Sequence, residues 1–395
     1  MMAPQFDEVI NRYHTNSLKW DALKERFGRA DLLPLWVADM DFRAPDAVIE
    51  ALKKVAEHGI FGYTIRTDSF YEALISWFER RHQWTIEKDS ILVSPGIVPA
   101  LSILVQAFTE PGDNVIIQSP VYHPFFHVVK QNGRNLIDNP LQLRNGKYEI
   151  NFDDFEQKLR EHQCKIMLFC SPHNPAGRVW TKEELMKIGE LCKKYNVLVI
   201  SDEIHCDLIF KGHKHIPFAS LSTEFQDISI TCVAPSKTFN LAGLQSSALI
   251  IPNESLRERY KRSLKIENDT MLNSFAIAAF EAAYTHGDEW LDDLMDYLEG
   301  NVQFLTSFIE KEIPEVRVIP PEGTYLLWLD FRQLGLQANE LEKLLINEAK
   351  VALNQGYIFG DTGKGFARIN IACPRATLEK GLQQIKEAVH SLKNT

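Results

Sequence analysis

Short apolar runs alternate with helical segments through the middle of the chain. Residues 114–118, 165–170 and 197–201 each have the length and composition of a buried strand. A helical pattern between the last two begins with a capping box at Thr181 and Glu184. This alternation predicts a parallel sheet with helices on both faces. In such a sheet, ligands bind beyond the carboxyl ends of the strands.

Polar residues follow these runs at the points where the strands should end. Tyr122 comes after the first run, Asn174 after the second and the segment Asp202–His205 after the third. Lys237 follows a fourth apolar run, residues 228–233. Because parallel strands end at the same edge of a sheet, we expect an aromatic ring, an amide, a carboxylate and an amine to meet in one crevice.

Lys237 lies within the stretch from Ala234 to Leu244, and another apolar run follows at 247–251. An exposed lysine has a pKa near 10.4, so only about one molecule in 2,500 carries the free amine at pH 7. Nucleophilic use therefore needs a site that removes the charge, and a Schiff base with an aldehyde cofactor does so. The alternative is an ordinary surface lysine in a loop.

The stretch from Ile91 to Pro99 reads as a short strand and a turn containing Gly96, and an apolar helix follows as far as Phe108. Backbone N–H groups at the start of such a helix can hold a phosphate, because the helix dipole supports them. An ordinary turn at Pro95 and Gly96 is the alternative.

The remaining patterns outline the rest of the chain. Residues 1–44 look irregular. Helices are expected over 45–58, 289–310 and 378–392 and near 340–350, and another should open with a capping box at Ser69 and Glu72. Strand-like runs lie over 323–330 and 366–371. At 395 residues the chain is too long for one small core, and we expect two domains.

Composition excludes several classes of protein. Apolar residues make up 45% and charged residues 24%, which is ordinary for a globular protein and excludes disordered and fibrous classes. The net charge of -10 argues against a surface for nucleic acid or anionic membrane. No apolar run is long enough to span a membrane, and the first thirteen residues lack a signal-peptide core. We therefore expect a cytoplasmic protein.

Six cysteines are scattered along the chain without a Cys-x-x-Cys pair, which predicts buried free thiols in a reducing compartment. His205, Cys206, His213 and His215 come closest to a metal-binding cluster. No second ligand pair accompanies them, so no metal site is predicted.

Three motifs together resemble one enzyme family. They are Trp36–Phe42, Asp202–His205 and Ser236–Leu244. With Asn174 and Arg368 they resemble the fold-type I pyridoxal phosphate enzymes of aminotransferase class I/II, and most closely the carbon–sulfur lyase branch related to cystathionine β-lyase. The resemblance covers nearly the whole chain.

The resemblance implies an α/β fold with two domains. A large domain over residues 48–287 would hold a mostly parallel seven-stranded sheet between helices and bind pyridoxal 5'-phosphate. A smaller α+β domain would occupy 288–395, with residues 1–47 contributing to it.

The resemblance also implies roles for the residues at the strand ends. Lys237 would bind the cofactor covalently and, once released by substrate, take the α-proton. Asp202 would pair with the protonated pyridine nitrogen and so keep the ring an electron sink. Asn174 would donate to the phenolic oxygen of the ring, Tyr122 would stack on the ring, and His205 stands where many aminotransferases have a tyrosine.

Further residues would hold the phosphate and the substrate. The phosphate would be held by Gly96, Ile97, Val98 and Ser236, and by Tyr63 reaching across a homodimer interface. Arg368 would grip the α-carboxylate of the substrate with a planar fork of donors, and the backbone of Ala38 would contribute. The alternatives are a core aromatic for Tyr63 and a structural salt bridge for Arg368. Gln245 replaces an arginine that many aminotransferases place there, so other donors must compensate.

The function that this resemblance implies is α,β-elimination from L-cystathionine or a related cysteine S-conjugate, giving a thiol, ammonia and pyruvate. Both departures from the aminotransferase pattern, His205 and Gln245, fit the lyase branch better. The alternatives are an aminotransferase of amino acids, which uses the same cofactor and residues, and a regulatory binding partner with this fold.

Overall fold

A computed structural model describes residues 4–266 and 272–392 of the chain. Among the described residues, the α-helices are α1 Leu18–Asp21, α2 Leu23–Phe27, α3 Asp46–His58, α4 Asp68–His82, α5 Ile97–Phe108, α6 Pro124–Gln131, α7 Phe152–His162, α8 Lys182–Lys194, α9 Thr223–Asp227, α10 Pro235–Thr238, α11 Glu254–Ile266, α12 Ser274–His286, α13 Asp288–Glu312, α14 Ala338–Lys343 and α15 Arg375–Leu392.

The strands of the same part of the chain are β1 Leu33–Pro34, β2 Ile91–Ser94, β3 Asn114–Ile117, β4 Asn135–Asp138, β5 Gln142–Arg144, β6 Lys147–Glu149, β7 Ile166–Cys170, β8 Leu198–Asp202, β9 Ser229–Val233, β10 Ser247–Ile250, β11 Arg317–Val318, β12 Leu326–Asp330, β13 Val351–Ala352, β14 Asn354–Gln355 and β15 Phe366–Asn370.

Seven strands form the central sheet in the order β2-β10-β9-β8-β7-β3-β4. Only β10 runs against its neighbours, β2 and β9, and the other pairs are parallel. The sheet is buried on both faces, which is why its strands are continuous apolar runs. Val115 and Ile117 of β3 pack on one side with α5 and α6, and Ile116 packs on the other with α7 and α8. The expected α/β fold with a mostly parallel seven-stranded sheet is confirmed.

A second, antiparallel sheet lies in the C-terminal part of the chain, in the order β11-β12-β15-β14. The first strand of the chain, β1, pairs in parallel with β13, so the N-terminal segment joins the C-terminal unit. Helix α13 packs against α15 beside this sheet. The domain bounds at 47 and 287 stay a prediction, and residues 1–3, 267–271 and 393–395 lie outside the described residues.

Two local expectations are wrong. Helix α4 begins at Asp68 after Thr67 rather than at a Ser69 capping box, and the Thr67 and Ser69 hydroxyls bond each other at 2.9 Å. The helix expected near 340–350 is present as α14, which continues into a π-helical turn over 344–348. The N-terminal segment, expected to be irregular, contains α1, α2 and β1.

The prediction for the cysteines is confirmed. All six cysteines are free and buried. Within the described residues, no helix is long and apolar enough to cross a membrane.

Candidate active site

A cavity of about 210 Å³ lies at the carboxyl ends of the central strands. It is lined mainly by apolar atoms and has polar groups from several different elements at its wall. Ten of the residues singled out from the sequence line it: Ala38, Gly96, Ile97, Val98, Tyr122, Asn174, Asp202, His205, Ser236 and Lys237. Cys170, Ile204 and Gln245 are further lining residues. The strand ends therefore meet as the alternation of elements predicts.

Lys237 enters the cavity from α10, a single helical turn directly after β9. Its Nζ donates a hydrogen bond of 2.6 Å to the carbonyl oxygen of Ala38. Burial lowers the pKa of Lys237 to about 8, and the Arg368 charge adds to the lowering, whereas Asp39 and Asp202 act in the opposite direction. With this pKa, roughly a tenth of the amine is uncharged at pH 7, far more than for an exposed lysine, and the neutral form is the one that a nucleophile requires.

Asp202 ends β8, and its side chain is 3% exposed. Burial raises the pKa of Asp202 to about 7, although the N–H of Ile204 donates to Oδ1 at 3.2 Å and opposes the shift. The carboxyl group faces a cavity with few protein donors. A cationic partner inside the cavity would return it to the ionised state.

The N-terminus of α5 forms another part of the wall. Within this helix the first backbone bond runs from the Ala100 N–H to the Gly96 oxygen, and Pro99 has no N–H. The N–H groups of Ile97 and Val98 therefore lie outside the hydrogen-bond ladder of the helix. The positive end of the helix dipole and these donors suit an anion such as a phosphate.

Arg368 lies on β15 and is 4% exposed. Its Nη1 donates to Asn174 Oδ1 at 2.9 Å, and Nη2 donates to Asn354 Oδ1 at 2.6 Å and to the Trp36 oxygen at 3.0 Å. Nε is buried without a protein partner. Burial lowers the pKa of Arg368 to about 10, and no carboxylate pairs with it among the described residues. The guanidinium is a buried cation that lacks a counter-ion.

The segment from Trp36 to Phe42 closes the cavity from the N-terminal side. Asn240, in the loop after Lys237, donates to the oxygens of Met40 and Phe42 and accepts from the Met40 N–H. Asn370 on β15 donates to the oxygens of Val37 and Asp39 at 2.6 Å each. Side-chain amides from two distant parts of the chain thus satisfy the backbone of this segment.

A buried charge network fixes the same segment from behind. Lys19 is fully buried and binds Asp41 at 2.8 Å. Arg12 binds Asp39 at 2.9 Å and Asp41 at 2.7 Å. Sequence reasoning missed Arg12 and Lys19, although two aspartates in the otherwise apolar 36–42 motif signal that buried cations must be supplied.

His205 lines the cavity, and Tyr325 contacts it. Burial lowers the pKa of His205 well below its ordinary value, so the ring is neutral, and its Nδ1 has no protein partner. The Tyr325 ring lies edge-on to His205 with centroids 5.9 Å apart, and its hydroxyl donates to the Ala38 oxygen at 3.0 Å. Tyr325 was not singled out from the sequence, since it precedes an apolar strand and looks like a core residue.

Two residues expected at the site do not line this cavity. Arg368 lies behind Asn174, as its hydrogen bond shows. Tyr63 is 99% exposed, which rules out the alternative of a core aromatic. Ile60, Phe61 and Ile65 beside it are also more than half exposed.

Comparison with known proteins places the chain in one family. Residues 30–385 match the aminotransferase class I and II family. A cystathionine beta-lyase of Bacillus subtilis, PatB, is 50% identical over 384 residues, covering 97% of this chain and 99% of that protein. Protein MalY of Escherichia coli is 36% identical, covering 98% of this chain and 99% of that protein.

Solved structures agree in fold. A putative aminotransferase from Clostridium difficile with bound pyridoxal phosphate has a TM-score of 0.96 at 48% identity, covering 97% of this chain and 99% of that one. Cystalysin from Treponema denticola, which contains pyridoxal 5'-phosphate, has a TM-score of 0.95 at 39% identity, covering 98% of this chain and 99% of that one. The expected cofactor, pyridoxal phosphate, is supported by both. The chain belongs to the class I and II aminotransferase family of pyridoxal phosphate-dependent enzymes.

Proposed function

We propose that this protein is a pyridoxal phosphate-dependent carbon–sulfur β-lyase that acts on L-cystathionine or a related cysteine S-conjugate and releases a thiol, ammonia and pyruvate. The observation that carries the proposal is the meeting of Lys237, Asp202 and the N-terminus of α5 in one cavity, in a chain half identical over nearly its full length to a protein named cystathionine beta-lyase. The chemistry of the cavity and the relative's name support the same reaction class.

The residues of the cavity fit the cofactor. Asp202 is a buried carboxyl group that accepts one hydrogen bond from the described residues, donated by the Ile204 N–H, and it therefore suits a ring nitrogen carrying a proton. Lys237 has a depressed pKa, which suits an amine that must attack an aldehyde. Helix α5 offers backbone donors for the phosphate, and Tyr122 offers an aromatic face for the ring. The Asn174 oxygen is occupied by Arg368, which leaves its NH₂ group to donate to the ring.

When bound, pyridoxal phosphate supplies an electron sink that stabilises negative charge at the substrate α-carbon. Lys237 would take the α-proton at Nζ once it is released from the cofactor, since burial lowers its pKa and so increases the neutral fraction of the amine. Asp202 would keep the ring nitrogen protonated. Tyr122, His205 and Ser236 would fix the plane of the ring and its phosphate, so that the bond to be broken stands in the reactive orientation.

Arg368 would hold the α-carboxylate of the substrate. It is a buried guanidinium without a carboxylate partner among the described residues, and its Nε is unused. A substrate carboxylate would therefore both neutralise it and satisfy its donors. The Ala38 backbone lies at the cavity wall, where its N–H could serve the same group.

We further propose a homodimer in which Tyr63 reaches the phosphate of the other subunit. The side chain of Tyr63 is almost fully exposed in a run that also exposes Ile60, Phe61 and Ile65. Such an apolar run at the surface is typical of a protein interface. A tyrosine donor from the partner subunit would also compensate for Gln245, which stands in place of an arginine. The six buried free thiols support a reducing compartment such as the cytoplasm.

The reaction is tested by incubating the holoenzyme with L-cystathionine in the absence of any keto acid. A lyase forms pyruvate and thiol in equal amounts over many turnovers, because it needs no amino acceptor. An aminotransferase would stop after one turnover per cofactor and resume when a keto acid is added. That second outcome would overturn the lyase proposal while keeping the family and the cofactor.

A further inference from the structure

Asp207, five residues after Asp202, is the centre of a buried hydrogen-bond cluster beside the active site. Its Oδ1 accepts from Trp77 Nε1 at 2.9 Å and pairs with His82 Nε2 at 2.8 Å. Its Oδ2 accepts from the hydroxyl of Thr238 at 2.7 Å. Burial by itself would raise the pKa of Asp207, but the hydrogen bonds from these three side chains hold it below its ordinary value. Asp207 is thus an ionised acceptor in the interior.

Thr238 is the chain neighbour of Lys237, and both lie in α10, which is only four residues long. A single helical turn has no stability of its own, so contacts with the rest of the protein must hold it in place. The hydroxyl of Thr238, directly after Lys237, is anchored to Asp207. Asn240, two residues further on, is anchored to the 36–42 segment. The backbone of the lysine is therefore fixed by side chains that do not line the cavity.

We propose that Asp207 is a positioning residue for Lys237, acting through the hydroxyl of Thr238, with Trp77 and His82 of α4 holding the carboxylate in place. This inference rests on the role proposed for Lys237. A base must stand within hydrogen-bond reach of the proton that it takes, and a displacement of about 1 Å can cost roughly 100-fold in rate. The anchor provides that precision from outside the cavity.

The same atoms allow another reading. Ligand atoms of His82, Cys206 and Asp207 lie within 4.8 Å of one another, which is the spacing of a candidate metal site. However, His82 Nε2 and both oxygens of Asp207 are already used in bonds among protein groups. A metal would have to break these bonds, including the one to Thr238. The hydrogen-bonded anchor accounts for the contacts of His82 and Asp207 without a metal.

The inference is tested by Thr238→Val, which removes the hydroxyl and keeps the size and shape of the side chain. Thr109→Val is the matched control, because Thr109 is also a buried threonine whose hydroxyl is hydrogen-bonded. It follows α5, a helix about 18 Å long that starts at the cavity, so it lies far from Lys237. Thr238→Ser restores the hydroxyl.

Three quantities are measured on the holoenzymes: kcat, KM and the isotope effect on kcat with substrate deuterated at the α-carbon. Thr238→Val should lower kcat between about 10- and 100-fold with KM changed less than about 3-fold, and should raise the isotope effect, because proton removal becomes slower than the other steps. Thr109→Val should keep all three values, and Thr238→Ser should recover most of the loss. If Thr238→Val fails to fold, Thr238→Ser and Thr238→Ala give the same comparison, since they differ only in the hydroxyl.

The inference is overturned if Thr238→Val matches Thr109→Val in kcat and in isotope effect. A Thr238→Val variant that is less stable but has an unchanged isotope effect would also overturn it. That result would mean that the anchor supports the fold without affecting the rate of proton removal. Failure of the proposed function looks different: the wild-type holoenzyme would then stop after one turnover per cofactor and resume only when a keto acid is added, whatever the Thr238 variants do. The two outcomes are read from separate measurements.

Discussion

The Nζ of Lys237 donates a 2.6 Å hydrogen bond to the carbonyl oxygen of Ala38. The amine from the end of the central sheet is thus bound to a backbone group of the N-terminal segment, and the Tyr325 hydroxyl donates to the same oxygen. Binding the cofactor must release this bond. Lys237 and the 36–42 segment are therefore joined by a direct hydrogen bond that depends on whether the lysine holds the cofactor. Substitutions that loosen this segment should test the proposed site.

Asn240→Asp should weaken the junction between the lysine loop and the 36–42 segment. In the wild type the Met40 and Phe42 oxygens accept hydrogen bonds from the amide NH₂ of Asn240. The substitution keeps the shape of the side chain but places a carboxylate oxygen against these two oxygens. We expect the free energy of unfolding to fall by about 1–3 kcal/mol, measured by urea denaturation of the holoenzyme. Asn145→Asp is the control, because Asn145 also has a positive φ, 49°, but is exposed. Equal losses in both variants would contradict the assignment.

Asp202→Asn should change how the stability of the cofactor-free protein depends on pH. Burial raises the pKa of Asp202 from 3.8 to about 7, so the folded protein holds a proton that the unfolded chain has lost. Its contribution is fully present below pH 4 and is lost as the pH rises through 7. As the pH rises from 4 to 8, the free energy of unfolding of the apoprotein should therefore fall more in wild type than in Asp202→Asn.

With pyridoxal phosphate bound, the same comparison should reverse. The protonated ring nitrogen would pair with ionised Asp202, so the carboxylate becomes stabilising and Asp202→Asn should bind the cofactor more weakly at pH 8. A difference between the two apoproteins that stays constant from pH 4 to 8 would contradict the burial argument.

Arg368→Lys should weaken substrate binding, measured as a rise in KM, by much more free energy than it removes from the stability of the fold. Lysine keeps the positive charge but cannot form the planar two-point contact with a carboxylate. One charged hydrogen bond is worth about 1.5–3 kcal/mol, so its loss should lower kcat/KM by about 10- to 150-fold. Arg178→Lys is the control, because Arg178 is equally buried but is paired with Glu184 and Glu322. That variant should lose stability and keep KM. An unchanged KM in Arg368→Lys would show that another group binds the carboxylate.

A shared active site predicts recovery of activity on mixing two defective variants. Tyr63→Ala should weaken cofactor binding, and Lys237→Ala should abolish turnover. When subunits are exchanged between them, half of the dimers are mixed and each contains one intact site, so about a quarter of wild-type activity should return. Absence of recovery in samples where mixed dimers are demonstrated would show that Tyr63 acts within its own subunit or not at the site.

The sequence predicts the strand ends well because parallel strands buried on both faces give continuous apolar runs. The polar residue that follows each run must then lie at the ligand-binding edge, as Asn174, Asp202 and Lys237 do. The family resemblance adds Arg368, whose place behind Asn174 follows from a pairing between distant strands rather than from local pattern.

Other features depend on distant contacts that a single sequence does not reveal. Lys19 looks like a surface residue until Asp41, 22 positions later, is placed beside it. Helix α4 begins at Asp68, and the Ser69 hydroxyl bonds the Thr67 hydroxyl instead of forming the capping box that the pattern suggests. Thr238 and Asp207 are 31 positions apart, and only the folded chain brings their side chains within 2.7 Å of each other.

The most direct test of the account is pyruvate release from L-cystathionine by Lys237→Ala at saturating pyridoxal phosphate, beside the wild-type enzyme. The account predicts that wild type turns over without a keto acid. The variant should be slower by about 100- to 10,000-fold or more, because a positioned base contributes a factor of that size to the rate. A variant whose pyruvate release stays within tenfold of wild type, roughly 1.4 kcal/mol of barrier, would contradict the central role of Lys237.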